Sequence, residues 1–379
     1  MLDLDRYKPF FGYAAGTTGG QGGPVVRCAT GDAVRAALEA KGNAPLTIFI
    51  TDTITGANSQ APQIDISGVR DLTIMGDGQH LDATNVGIRI NKGSENIILF
   101  NLKIGRIEEG QKDAVGIEGD CKNIVLLHCD LYGDMGADKD YYDGLMDTKR
   151  GAERIAAVLC KFHDHHKACL NGASDRDEGS RRITFAYSWF DKLGSRCPSV
   201  RFGEAHVAGC LLTDVESSGV NCRMGAQVLI EGTTFERVHD PVAALDSREP
   251  GFWNLVDSQA IDCSWGKAKA RERLATDWRS TTDFRPSYRM PMLPRAQAAA
   301  FVRANAGLLP PGKVITMPGT TTTREVPPPA DGEPAPAPRI RPAAGPASIT
   351  NSLGMLALGA TFLAAMRVRR RIPARPRGR

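Results

Sequence analysis

With 379 residues, 42% of them hydrophobic, the chain is long enough for one large elongated domain plus appendages or for two ordinary domains. The formal net charge of +4 is unevenly spread: nine Arg and no acid lie between Arg339 and Arg379, so everything before carries 38 basic against 43 acidic residues. A mildly acidic body without a broad basic field excludes nucleic acid as an expected partner.

Taken in order, Met1–Asp5 (MLDLD) lacks the basic start and apolar run of a signal peptide, which leaves the export route open. The glycine cluster GTTGGQGG (Gly16–Gly23) lacks the GK[ST] ending of a phosphate-binding loop and reads as tight backbone packing. An amphipathic helix is expected at about Asp32–Lys41, placed to cap the open end of the repeat that follows.

That repeat decides the fold class. The octets IILFNLKI (from Ile97), IVLLHCDL (Ile124), IAAVLCKF (Ile155), ITFAYSWF (Ile183), AHVAGCLL (Ala205) and VLIEGTTF (Val228) start 27, 31, 28, 22 and 23 residues apart. Each starts apolar, ends in Ile, Leu or Phe, and is followed by a polar, turn-rich stretch. Earlier strands at Leu46–Thr51 and Leu72–Gly76 fit the same spacing. A recurring strand with a period in the twenties and no helical pattern between is the signature of an all-β parallel solenoid. A β-sandwich would show strands every 8–12 residues with hairpin turns, which are absent.

Equivalent positions of such a solenoid stack about 4.8 Å apart. Position eight then forms one interior column (Ile104, Leu131, Phe162, Phe190, Leu212, Phe235) and position six another (Leu102, Cys129, Cys160, Ser188, Cys210, Thr233). The nine cysteines form no CxxC or Cys/His zinc pattern. Free, buried thiols are expected over a Cys129–Cys160 disulfide, because stacked side chains point in parallel.

The solenoid domain is expected to span 1–309, closed by an alanine-rich helix near Arg295–Ala306 that Gly307 stops. Residues 310–346 read as a Pro/Ala-rich extended linker. Residues 347–379 combine an apolar stretch, Leu353–Met366, with RVRRR. Extended back to Ala347, it reads as a C-terminal membrane anchor holding the protein at the cell surface. A monomer is expected.

The chemistry-bearing residues follow from the repeat's spacing. Asp143 and Asp147 (DGLMD) stand just before the octet at Ile155, and Asp113 lies 30 residues before Asp143, about one coil earlier. Asp113 and Asp143 should therefore sit on adjacent rungs of one face with Asp147 nearby, a set of oxygen ligands suited to Ca²⁺. Lys167 and Arg196 follow their octets by five and six residues and should emerge from equivalent loops on consecutive coils, with Arg201 beyond Pro198. Cations facing a carboxylate cluster suit an anionic ligand such as a polyuronate. The histidines of HDHHK (His163, His165, His166) lack a third ligand in register and read as structural.

Four stretches resemble the pectate lyase family of polysaccharide lyases: FGYAAGTTGGQGG, DAVGIEG with IVLLHC, DGLMDTKRGAERIAAVLCKFHDHHKACLNGASD, and ITFAYSWFDKLGSRCPSVRFGEAHV. With the repeat they cover roughly Phe11 to Cys263. The resemblance implies a right-handed parallel β-helix that splits polygalacturonate by anti β-elimination. It implies that Asp113, Asp143 and Asp147 bind calcium, and that Lys167 and Arg201 engage substrate carboxylates. Arg196 would be the base that removes the C5 proton. Arginine is an unusual base, but Lys167, Arg201 and a bound cation around it would favour its neutral form, so an alkaline rate optimum is expected.

Two departures touch metal affinity and substrate preference. Val125-Leu126-Leu127-His128 stands where many members read W-I-D-H, and Gln111 where some carry a further calcium-binding acid. A metal-independent pectin lyase would not need the three aspartates, and a non-catalytic glycan-binding β-helix would yield no product. Both stand as alternatives to a calcium-dependent pectate lyase.

Overall fold

The fifth residue of every octet has left-handed backbone: Asn101, His128, Leu159, Tyr187, Gly209 and Gly232, with φ from 49° to 60°. That single residue turns the chain sharply, so each octet is two strands in two different sheets, for example Glu95–Phe100 and Lys103–Gly105. This corrects the reading of each octet as one strand. Leu159 and Tyr187 take this conformation at a steric cost of about 1–2 kcal/mol each, and nothing in their residue types announces it.

The computed structural model describes residues 3–77, 82–84 and 86–319. Among them the first residues of the octets pair rung to rung, Ile97 with Ile124, Ile124 with Ile155, Ile155 with Ile183, Ile183 with Ala205 and Ala205 with Val228. Continued around three corners per coil, this gives sheets of ten, eight and nine strands. Pairing between the described strands is parallel except where Val242–Ala244 meets Arg273–Leu274, and an isolated antiparallel bridge joins Arg223 to Pro250. The architecture is the expected parallel β-helix.

Position eight forms the interior column as expected, with Leu131 paired to Phe162, Phe162 to Phe190, Phe190 to Leu212 and Leu212 to Phe235. Phe162 and Phe190 stack with centroids 4.8 Å apart. Position six does more than fill space. Cys129, Cys160, Ser188, Cys210 and Thr233 each donate to the third-position carbonyl of the preceding octet, at Leu99, Leu126, Ala157, Phe185 and Val207 respectively. A small side chain with one donor satisfies a buried carbonyl at each corner. All nine cysteines are free, eight of them buried. A thiol reagent is expected to modify at most Cys263 in the native protein and all nine after unfolding. Rapid modification of several thiols without denaturant would contradict this packing.

The N-terminal helix runs Gly31–Glu39, with Thr30 Oγ1 accepting from Ala33 N–H at 3.1 Å, and it buries Val34 and Leu38 in the end of the core. The glycine cluster packs as expected. Thr18 and Gly19 N–H donate to Asn96 Oδ1, and a Cβ on Gly20 would lie 1.9 Å from the Leu46 carbonyl oxygen. The C-terminal helix, Arg295–Asn305, lies over the outside of the solenoid and buries Ala298 and Val302 in a second apolar cluster with Phe10, Phe11, Val125, Leu127 and Tyr187. Ile315 and Met317 are buried in that cluster too, so packed chain continues beyond Leu309. No described helix is long and apolar enough to cross a membrane. The linker from residue 320 and the segment 347–379 lie outside the described residues.

Candidate active site

Asp113 opens the strand Asp113–Glu118 and Asp147 lies in the strand Gly144–Lys149, neighbours in the nine-stranded sheet. The register pairs Asp113 with Gly144 and Asp147 with Gly116, so each carboxylate faces a residue without a side chain. Asp143 precedes the second strand and is tied in by its N–H donating to Lys112 O at 3.1 Å. One carboxylate oxygen from each of the three lies within 4.8 Å of the others. The expected convergence is present.

The space between them depends on Gly144. A Cβ there would stand 2.5 Å from Asp147 Oδ1 and 3.0 Å from Asp113 Oδ1. Gly144→Ala is therefore expected to push the two carboxylates apart and weaken divalent-cation binding by about tenfold or more, on the order of 1.4 kcal/mol. An unchanged calcium affinity by calorimetry would show that the gap does not matter.

Asp113 and Asp147 are buried, and burial pushes both carboxyls up, Asp113 well up with Asp147's charge adding to it. Leu170 N–H donates to Asp147 Oδ1 at 2.9 Å. Buried Asp113 Oδ1 accepts no hydrogen bond, and Asp147 Oδ2 has only the Lys149 ammonium, 3.2 Å away. A buried carboxylate oxygen without a partner, facing a third acid, is costly unless a cation takes it up. A hard divalent ion fits this donor set.

Lys149 was not singled out from the sequence, yet its Nζ lies 3.0 Å from Asp113 Oδ2 and 3.2 Å from Asp147 Oδ2. Burial works against its ammonium, but Asp147 and Asp113 outweigh that and hold it protonated more firmly than an ordinary lysine. The signal for it was the strand period of two, which puts Lys149 on the same outward side as Asp147.

Lys167 and Arg196 come from strand ends rather than loops. Lys167 closes the strand Lys161–Lys167, pairs with Ser195 and reaches Asp143 Oδ1 and Asp140 Oδ1, each at 3.2 Å. Arg196 follows the strand Trp189–Ser195 with φ 63°. Its carbonyl accepts from Cys169 N–H at 2.8 Å, while its guanidinium makes no hydrogen bond or ion pair among the described residues. Its charge acts on Asp140, Asp147 and Arg223.

Arg201 is buried and held from behind, donating from Nε to Asp175 Oδ1 at 2.8 Å and from Nη1 to Gly172 O at 3.1 Å. Asp175 also accepts from Arg248 N–H at 2.8 Å, so it ties two loops together beside Arg201. Arg223 pairs with Arg201 on the next rung; burial, then Arg201, brings it down to about 10. Asp175 and Arg223 were not expected, although Arg223 follows Arg201 by 22 residues, one short coil.

The histidines serve structure. His163 bonds Asp130 Oδ1 and Asp164 Oδ2, burial brings His165 down to about 4, and His166 Nε2 donates to Ala137 O at 3.0 Å. Of the two departures, Val125 and Leu127 are buried in the outer apolar cluster. Gln111 donates from Nε2 to Glu118 Oε1 at 2.9 Å, sharing that carboxylate with Arg89 and Arg150.

A parallel β-helix that carries a cluster of three aspartates beside a row of arginines defines the class of protein. The family model described as pectate lyase matches residues 8–308, and the chain belongs to the pectate lyase family, whose members are polysaccharide lyases. It is 40% identical over 302 residues to a pectate trisaccharide-lyase from Bacillus licheniformis, covering 79% of this chain and 86% of the relative. It is 39% identical over 247 residues to a probable pectate lyase B from Aspergillus terreus, covering 64% and 72%. A pectate lyase from Bacillus sp. N165, solved in complex with trigalacturonate, superposes with a TM-score of 0.73 at 30% identity, covering 78% of this chain and 98% of that one.

Proposed function

We propose that the protein is a calcium-dependent pectate lyase that cleaves α-1,4-linked polygalacturonate by β-elimination, with its residues in the following roles. The observation that carries this reading is the meeting of Asp113, Asp143 and Asp147 within one ion's reach, beside an arginine whose guanidinium has no partner among the described residues. Asp113, Asp143 and Asp147 hold the calcium. When bound, that ion supplies positive charge to the carboxylate of the sugar being cleaved.

Lys167 stands at the edge of the acidic set and supplies a second cation to the same carboxylate. Arg201, fixed by Asp175 and Gly172 O, presents its remaining donors to a substrate carboxylate as a planar fork. Arg196 takes the C5 proton. The C5–H electron pair becomes the C4–C5 double bond, the C4–O4 bond breaks, and O4 leaves with the departing chain and gains a proton. The burden of the step is charge on the carboxylate as C5 loses its proton, and the cations around it offset that charge. Because the substrate is a wall polymer, the enzyme acts outside the cell, secreted or held at the surface.

The test is incubation with polygalacturonate, with calcium and with a chelator. Ultraviolet absorbance of a 4,5-unsaturated uronide that disappears on chelation is the expected result. Chelator-resistant cleavage of methylated pectin would point to a metal-independent pectin lyase, and no product at all to a glycan-binding β-helix.

A further inference from the structure

Each aspartate of the proposed metal site is already held by a lysine. Lys149 Nζ bridges Asp113 and Asp147, and Lys167 Nζ bridges Asp143 and Asp140. The Lys149 pair is sheltered, with the lysine 19% and its aspartates at most 1% exposed, so solvent and salt weaken it less than an ordinary surface pair. Lys167 is 16% exposed, but its partners Asp140 and Asp143 are 69% and 43% exposed. Together the two ammonium groups carry the charge of one Ca²⁺.

They do not complete the site. An ammonium offers three directional donors, and buried Asp113 Oδ1 remains without a hydrogen bond among the described residues. A calcium ion gathers six to eight oxygens without directional preference, so it can claim atoms that the lysines leave and those that they hold.

We propose that calcium enters by exchange, displacing Lys149 and Lys167 from the aspartates and freeing both ammonium groups for a uronate carboxylate in the groove. This rests on the reading of Asp113, Asp143 and Asp147 as the calcium site. Lys149 has no other acid to move to along its row: Glu118, its strand partner, is held by Arg89, Gln111 and Arg150. On the other side, one place beyond the Thr148–Asn171 pair, stands Gly172, which carries no acceptor side chain, followed by Arg201. The freed ammonium therefore joins the row of cations that faces substrate. Metal and oligogalacturonate then favour each other through the lysines, in addition to any contact between ion and sugar, because one lysine cannot neutralise aspartate and substrate at once.

The exchange is tested by titrating the full chain with calcium alone in a calorimeter. Lys149→Met removes a competitor and is expected to bind calcium about tenfold more tightly than the wild type, with a lower melting temperature before metal is added. Lys149→Arg keeps the competing charge and should stay near wild-type affinity. An affinity that is unchanged or weaker in Lys149→Met overturns the proposal.

Should the methionine variant not fold without metal, the wild-type protein gives an independent reading. Acetylation of Lys149 and Lys167 by acetic anhydride, mapped by mass spectrometry, is expected to rise several-fold when calcium is added, and unchanged or reduced labelling overturns the exchange. Absence of any calcium binding by the wild type would instead remove the metal site itself, and the exchange with it.

Discussion

Arg196→Ala is expected to lower the turnover of polygalacturonate by about three orders of magnitude, the range lost with a general base, while calcium affinity changes by less than about twofold. The separation follows from what Arg196 touches. Its guanidinium bonds to no described side chain or carbonyl, and the hydrogen bond it makes with Cys169 N–H uses its backbone carbonyl, which alanine keeps. Its left-handed φ of 63° is one that alanine adopts at a cost similar to arginine's. A folded, calcium-binding, inactive protein is therefore the predicted outcome. In the wild type the rate should climb into alkaline pH. A maximum in acid, or an alanine variant within tenfold of wild-type turnover, would remove Arg196 from the role.

Asp147→Asn is expected to weaken calcium binding by about 100-fold or more, since it removes one of three ligand charges from a sheltered site. Asparagine can still accept from Leu170 N–H, so the local backbone is kept. The sign of the stability change is the more telling part. Burial holds the Asp113 and Asp147 carboxyls above the ordinary carboxylate range, so the unfolded chain gives up these protons at lower pH than the fold does. Stability of the metal-free protein must then fall as pH rises from about 4 through the raised folded values. Calcium reverses the trend by binding only the charged, folded form. In a thermal melt at neutral pH, Asp147→Asn should raise the metal-free midpoint and abolish the upward shift given by calcium. A variant that melts lower than wild type without metal, yet still shifts with calcium, would mean that Asp147 is structural.

The repeat made the solenoid legible because each coil has an interior, and interior positions such as Phe162, Phe190 and Phe235 announce themselves by being apolar at a fixed place. The same spacing put Asp113 on the rung beside Asp143, and the structure pairs Asp113 with the neighbouring Gly144. The corner at position five was hidden, since Leu159 and Tyr187 take a left-handed backbone that residue type does not signal. Lys149 and Arg223 were missed for a different reason. Each is one charged residue among many in sequence, and each gains meaning only from its neighbours in space, Asp113 and Asp147 for Lys149 and Arg201 for Arg223. Asp175 lies in a loop without period and was recognisable only by the guanidinium it holds.

The most direct measurement is calcium anomalous diffraction from crystals soaked with the ion and a short oligogalacturonate. A single strong peak bounded by Asp113, Asp143 and Asp147, with oxygen distances of about 2.3–2.6 Å and a sugar carboxylate between the ion and Lys167, is the expected result. A peak elsewhere, or an oligosaccharide bound with those three aspartates empty, would contradict a calcium-assisted elimination in this groove.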